Sequence, residues 1–164
     1  MEKKRYTIRR LNNDELDDAF SLIWTVFKQF VAPDYTDEGI ASFYDQFIDN
    51  QDFRNKFITG FQIMNGAFDD LKLVGVLSIS KKAHISCVFV DENYQRKGIA
   101  TALFEKVIAD LKEQKIDKIK LNASPYGVPF YHAIGFTDTD KEKVYHGIRY
   151  TPMEMKLFMH EIDS

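Results

Sequence analysis

Residues 84–101, HISCVFVDENYQRKGIAT, join an alternating apolar run to an amphipathic helix through a short basic turn that contains a glycine. Apolar residues at helical spacing, Ala100, Leu103, Phe104, Val107 and Leu111, begin just beyond Gly98, so residues 95–98 predict the strand-to-helix turn. The first amides of a helix have no partner within it, and the macrodipole adds partial positive charge at the same end. Gly98 permits close backbone approach and Arg96 and Lys97 add charge. The amides of Arg96, Lys97, Gly98, Ile99, Ala100 and Thr101 therefore suit an anion such as a phosphate. A basic turn before a surface helix is also common without any ligand, so the turn by itself leaves both readings open. Two better-known phosphate loops are excluded: Ile99 follows Gly98 where a P-loop requires lysine and a hydroxyl residue, and no GxGxxG is present.

Residue type bears on three other chemistries. Strict alternation through residues 84–90 places His84, Ser86, Val88 and Val90 on one strand face and Ile85, Cys87 and Phe89 on the other. With a reference pKa of about 6.5, His84 suits proton transfer near neutral pH, although a single histidine at a strand start also serves as a polar rim residue. Cys87 has apolar neighbours, which raise a thiol's pKa, so an acyl-enzyme on it is disfavoured. His132, His146 and His160 show no paired spacing, and no metal site is expected.

The six residues Gln95-Arg96-Lys97-Gly98-Ile99-Ala100 resemble the Q/R-x-x-G-x-G/A signature of the GNAT superfamily of acetyl-CoA-dependent N-acetyltransferases. VPFYHAIGF, from Val128 to Phe136, is similar to that family's later A-x-x-F-Y-x-x-x-G-F segment. The two segments and their spacing cover the carboxyl-terminal half; the first 70 residues resemble the family in layout only. The resemblance implies acetyl-CoA as cosubstrate, an amine acceptor and direct transfer in a ternary complex. It further implies that the backbone of Val88, Phe89 and Val90 meets the pantetheine arm, with the Val90 N–H as oxyanion donor. Asn122 would set a polar group against that arm, and Tyr131 would protonate the departing thiolate. His84 matches a position where some members carry a Glu or His that draws the amine's proton through water. Plainer readings stay open beside these: Asn122 as a cap for the turn before Pro125, Tyr131 as a packed ring, His84 as a rim residue.

The elements that must position these groups follow from periodicity. Residues 6–10 predict a strand. Asn12 and Glu15 form an approximate capping box, and Leu16, Phe20, Ile23, Trp24, Phe27 and Phe30 or Val31 make a helical core stripe. Thr36 caps a second helix whose buried face is Ile40, Phe43, Tyr44, Phe47 and Ile48. In the resembling family the loop between these helices borders the acceptor pocket, so Asp34, Tyr35 and Glu38 are acceptor-side candidates as well as ordinary caps. Strands are expected over 57–68, 71–80, 84–90 and 116–123. A helical crossover makes the last two parallel. A short helix over 128–134 ends at Gly135, and 136–139 pairs with 149–158 across the polar connection DKEKVYHG. The fold class is a mixed α/β sheet, mostly antiparallel, with a central parallel pair that splays apart in the resembling family and helices on both faces.

At 164 residues, with 45% hydrophobic content and 14 Phe, the chain suits one domain over 1–164. No run approaches the ~20 apolar residues of a membrane helix, and a net charge of -3 argues against a nucleic-acid partner held by bulk charge. The lone Cys87 and an amino terminus without an apolar signal region point to the cytoplasm. Tyr145, His146, Arg149 and Tyr150 form a polar and aromatic cluster near the last strands, which in the resembling family help to shape the acceptor pocket; this implies a small amine or amino-acid derivative ahead of a histone-like tail, with an amino-acid or peptide amine as the wider acceptor class. The resemblance also allows a homodimer. A second class of function keeps the fold without catalysis: a module that binds or senses acyl-CoA, or a protein-interaction module.

Overall fold

The computed structural model describes residues 5–158. Its elements are β1 (Thr7–Arg10), α1 (Leu16–Val26), α2 (Asp37–Phe43), α3 (Gln51–Ile58), β2 (Gln62–Asp69), β3 (Lys72–Ser80) and β4 (His84–Val90). There follow α4 (Ile99–Glu113), β5 (Lys118–Ala123), α5 (Val128–Ile134), β6 (Thr137–Asp138), β7 (Lys143–Tyr145) and β8 (Ile148–Lys156). The sheet runs β1-β2-β3-β4-β5-β8-β6, with β7 paired to β8. Neighbours are antiparallel except β4 and β5, which the α4 crossover makes parallel. One face is covered by α1, α2 and α3, whose Phe20, Ile23, Phe27, Phe43, Phe53 and Phe57 form one core cluster. The other is covered by α4, which buries Leu103, Phe104, Val107 and Leu111 against Ile85, Ile119 and Leu121. Among the described residues no helix is long and apolar enough to cross a membrane.

Leu16, Phe20, Ile23, Phe27 and Val31 of the predicted stripe are buried and Trp24 is half-buried, and the helix runs on through a π-helical turn, Phe27–Val31. The Thr36 hydroxyl accepts from the Gly39 N–H at 3.1 Å, which starts α2 where the sequence indicates. Two expectations fail. Residues 57–61 are not strand: Asn50 caps Phe53 at 2.8 Å and starts α3, whose Phe53 and Phe57, four residues apart, are both buried, so β2 begins only at Gln62. The polar connection 140–147 is not a free loop. His146 (φ 49°) and Gly147 (φ 80°) make a tight two-residue turn of the primed kind that folds β7 back onto β8.

The third difference alters the site. Strict alternation along β4 does not hold, because Ile79 pairs with Ile85 while Ser78 pairs with Cys87, leaving Ser86 as an extra, bulged residue. Ile85, Val88 and Val90 consequently share the α4 face, and Cys87 and Phe89 the α1 face. His84 sits in register with Lys120, whereas Ile85 sits with Leu121 of the α4-side core. His84 thus belongs to the face opposite Val90, not to the same face. The two stand at opposite ends of β4, about 17 Å apart at the rise of an extended strand once the bulged Ser86 is discounted.

Candidate active site

The parallel ladder is short. Register between β4 and β5 holds only at His84 with Lys120 and Ile85 with Leu121, after which the strands diverge. The Ser86 bulge decides which backbone groups face that gap. Ala83 C=O accepts from Lys120 N–H on the β5 side at 3.0 Å, while beyond the bulge Asp91 N–H donates to Val74 O on the β3 side at 2.8 Å. Because neighbouring residues in a strand direct their amides to opposite edges, Val88 and Val90 turn theirs into the gap. Phe89 presents its side chain on the α1 face of the same stretch.

Gln95 ties the following turn to this strand: its Nε2 donates to Val90 O and its Oε1 accepts from the Tyr126 hydroxyl, both at 3.1 Å. Arg96 (φ 62°) and Gly98 (φ 80°) adopt left-handed conformations, and Gly98 is the N-cap of α4. The first intrahelical bond is Ala102 N–H to Gly98 O at 3.0 Å, so the amides of Ile99, Ala100 and Thr101 precede the helix's own ladder. Arg96 and Lys97 are exposed beside them. A Cβ built on Gly98 would meet nothing within 4 Å, so the backbone here borders open space large enough for an anion to approach.

Across the gap, Asn122 on β5 lines the same cavity. It does not cap the next turn: Ser124 does, with Gly127 N–H donating to its Oγ at 3.2 Å and its carbonyl at 2.9 Å. Tyr131, on α5, also lines the cavity, its ring held by edge contacts with Phe104, Phe130 and Phe136 at 5.5 to 6.0 Å. Burial, with a smaller contribution from Cys87, raises its phenol far above the ordinary range, so it stays protonated. Burial likewise pushes the Cys87 thiol up to about 12, against the pull of hydrogen bonds from Ser78 and Ser86, which leaves it a poor nucleophile. Burial lowers His84 below its ordinary 6.5, opposed by a backbone hydrogen bond at Ile85 and helped to a lesser extent by the charge of Lys120. The imidazole is therefore neutral at pH 7.

His84, Cys87, Val88, Val90, Asn122, Tyr131 and the turn residues Gln95, Arg96, Gly98, Ile99, Ala100 and Thr101 border one cavity of about 1220 Å³ that extends from the α4 amides through the strand gap to the α1–α3 side, whereas Lys97 stands outside its lining. There Phe30, Tyr35, Phe47, Phe53, Phe89 and Tyr150 line it together with Gln62 and His84. The mouth is built by joining two segments that the sequence holds far apart. Tyr35 OH donates to Arg149 O at 3.2 Å, and Ser42 Oγ to His146 O at 2.9 Å. Gly39 lies so close to Gly147 that a methyl on either would strike the other's backbone. Asp34 and Glu38 serve this junction rather than the cavity: Arg149 Nη1 donates to Asp34 O at 3.4 Å, and Glu38 is 3.8 Å from His146. Phe30, Phe53, Gln62 and Tyr126 also line the cavity, and nothing in their local spacing indicates it. The one available signal for the mouth was Gly39, a glycine inside a helix and so a sign of close backbone approach.

Comparison with known proteins now decides the family, since the profile of the acetyltransferase (GNAT) domain matches residues 31–157. The chain belongs to the GNAT acetyltransferase family. An uncharacterized N-acetyltransferase of Methanocaldococcus jannaschii is 27% identical over 145 residues, which is 85% of this GNAT chain but 64% of that relative. The chain thus spans just under two thirds of that relative's length. The GNAT fold is matched by a GCN5-related N-acetyltransferase structure from Rhodopseudomonas palustris, with a TM-score of 0.79 at 18% identity, covering 95% of this chain and 98% of the other. PaiA N-acetyltransferase from Thermoplasma acidophilum, in complex with coenzyme A, gives a TM-score of 0.78 at 20% identity, covering 93% and 99%. The yncA protein of Salmonella typhimurium, with its cofactor acetyl-CoA, gives 0.66 at 15% identity, covering 96% of each chain.

Proposed function

We propose that this protein moves an acetyl group from acetyl-CoA to a primary amine by direct transfer. The observation that carries the reading is the single cavity linking the α4 amides to the aromatic side through the opened β4–β5 pair. Structural relatives holding coenzyme A and acetyl-CoA support that ligand. The features on this chain fit it: open space at Gly98, amides for a pyrophosphate at 96–101, gap-facing backbone at Val88 and Val90, and a polar Asn122 opposite. Acetyl-CoA supplies an acyl group on a thiol leaving group. The chain's contribution is to bind, orient and move protons.

In this reading the Val90 N–H is the donor for the thioester oxygen, a dipole already fixed in place by the β4 backbone. Tyr131, kept protonated by burial, is the acid for the sulfur. His84, kept neutral by burial, accepts the amine's proton. His84 and Val90 stand at opposite ends of β4, so the proton reaches His84 along a chain of waters in the cavity rather than by direct contact. Buried Cys87 takes no covalent part. The lone cysteine is compatible with a cytoplasmic setting.

The test is to titrate acetyl-CoA by calorimetry and then follow CoA release with an amine panel, identifying the product by mass. Tight binding with no acetylated product from any amine would favour the non-catalytic acyl-CoA-binding module. No binding would end both readings.

A further inference from the structure

We propose that the acceptor is a primary amine carried on an aromatic or bulky apolar body, of the arylalkylamine class, rather than a polyamine or a short polar amine. The proposal rests on the acetyl-transfer reading above and deepens it. On the α1–α3 side the cavity wall is made of rings that keep part of their surface open: Phe30, Tyr35, Phe47, Phe89 and Tyr150, with Tyr145 at the hairpin rim. They arrive from the π turn after α1, the loop before α2, the π turn after α2, β4, β8 and β7, so the concentration is made by tertiary packing and not by one local stripe. Phe47 is fixed between Phe43 and Phe53, at centroid distances of 4.9 and 5.3 Å, and Phe30 is stacked on Tyr126 at 5.3 Å. Rings held in this way form a preorganised slot whose wetted faces gain most from an aromatic or branched apolar body.

Charge argues the same way by what lines the wall. Among the described residues that border the cavity, the one carboxylate is Asp52, exposed at the first turn of α3, with Lys56 one helical turn on. An acceptor with several ammonium groups would have to bring most of them into an apolar cleft unpaired, which is strongly unfavourable. Of the polar groups on this side, Ser86 and Gln62 are neutral dipoles already bonded to each other: Ser86 Oγ donates to Gln62 Oε1 at 3.2 Å and is hydrogen-bonded to Ser78. One amine, delivered neutral towards the strand gap, meets no such cost.

The experiment measures kcat/KM of the wild-type protein at saturating acetyl-CoA for phenethylamine, tryptamine, propylamine and spermidine. The aryl amines are expected to exceed propylamine and spermidine by at least about 100-fold, since even one methylene in an apolar pocket is worth about 10-fold or more. Phe47→Ala should shrink the ratio of phenethylamine to propylamine by about 10-fold or more, by enlarging the slot. If that variant does not fold, the wild-type ratios decide alone. Equal values across the panel, or spermidine as the best acceptor, would overturn this inference and leave acetyl transfer standing. No turnover with any amine would overturn both, and the acetyl-CoA titration would then show whether the cofactor site itself survives.

Discussion

The Gln95 side-chain amide donates to the carbonyl of Val90 over 3.1 Å, so the turn that would hold the pyrophosphate is tied to the residue whose N–H faces the strand gap. The same side chain accepts from Tyr126 on the far side. Removing it costs two hydrogen bonds at about 1 kcal/mol each. Gln95→Ala should weaken acetyl-CoA binding roughly 3- to 30-fold by calorimetry. Unchanged affinity would mean that turn and strand are held in register by other contacts.

Gly98 tests the phosphate site more directly. At φ 80° any side chain is strained, and the space around it is otherwise empty of protein. Gly98→Val should therefore cost about 1–2 kcal/mol in stability and, in addition, lower acetyl-CoA affinity by at least about 1–2 kcal/mol, because the side chain enters the anion's place. A folded variant that binds acetyl-CoA normally would move the site elsewhere.

His84 carries a pH signature. Its pKa lies below the unfolded value of 6.5, so the folded protein binds the proton less readily than the unfolded chain. Stability on this account is unaffected above about pH 6.5 and declines as the pH falls from there through the lowered folded pKa. His84→Gln should flatten the difference in urea midpoint between about pH 7.5 and pH 5. As the base, His84→Ala should slow turnover about 10²-fold near neutral pH and less in alkali, where more amine is free. An equal loss at every pH would assign the residue to structure.

Tyr131→Phe keeps the ring contacts with Phe104 and Phe136 and removes only the hydroxyl. Turnover should fall roughly 10- to 10³-fold with acetyl-CoA affinity nearly intact. Since burial holds the phenol protonated, no alkaline limb from Tyr131 should be seen in the working range. Full turnover in the variant would remove Tyr131 from the chemistry.

Gly39→Ala addresses the acceptor mouth. The added methyl falls on the Gly147 backbone and forces α2 away from the β7–β8 hairpin that carries Tyr145 and Tyr150. The expected result is about 1–3 kcal/mol of destabilisation and a raised KM for the amine, with KM for acetyl-CoA little changed. Equal rises in both would mean that the hairpin supports the whole cavity.

Features that depend on neighbours in the chain were legible without the structure. The Gln95–Gly98 turn, the α4 stripe, the Thr36 cap and the Gly135 stop each rest on chemistry contained within about two helical turns, so residue types at fixed spacing determine them. The crossover through α4 likewise implied the parallel pair. What the sequence misjudged is set between distant segments. The Ser86 bulge arises because β3 and β4 pair out of step, and it moved His84 to the face opposite Val90. Residues 51–58 spell a helix only through an Asn50 cap and two phenylalanines whose partners lie on α1, so the apolar residues beyond them read equally as strand. The aromatic wall exists only where rings from six separate segments converge, and the mouth only where Gly39 and Gly147 allow two backbones to touch. Periodicity records which side of an element is apolar. Which elements then face one another, and so which substrate the cleft fits, is decided by strand register and packing.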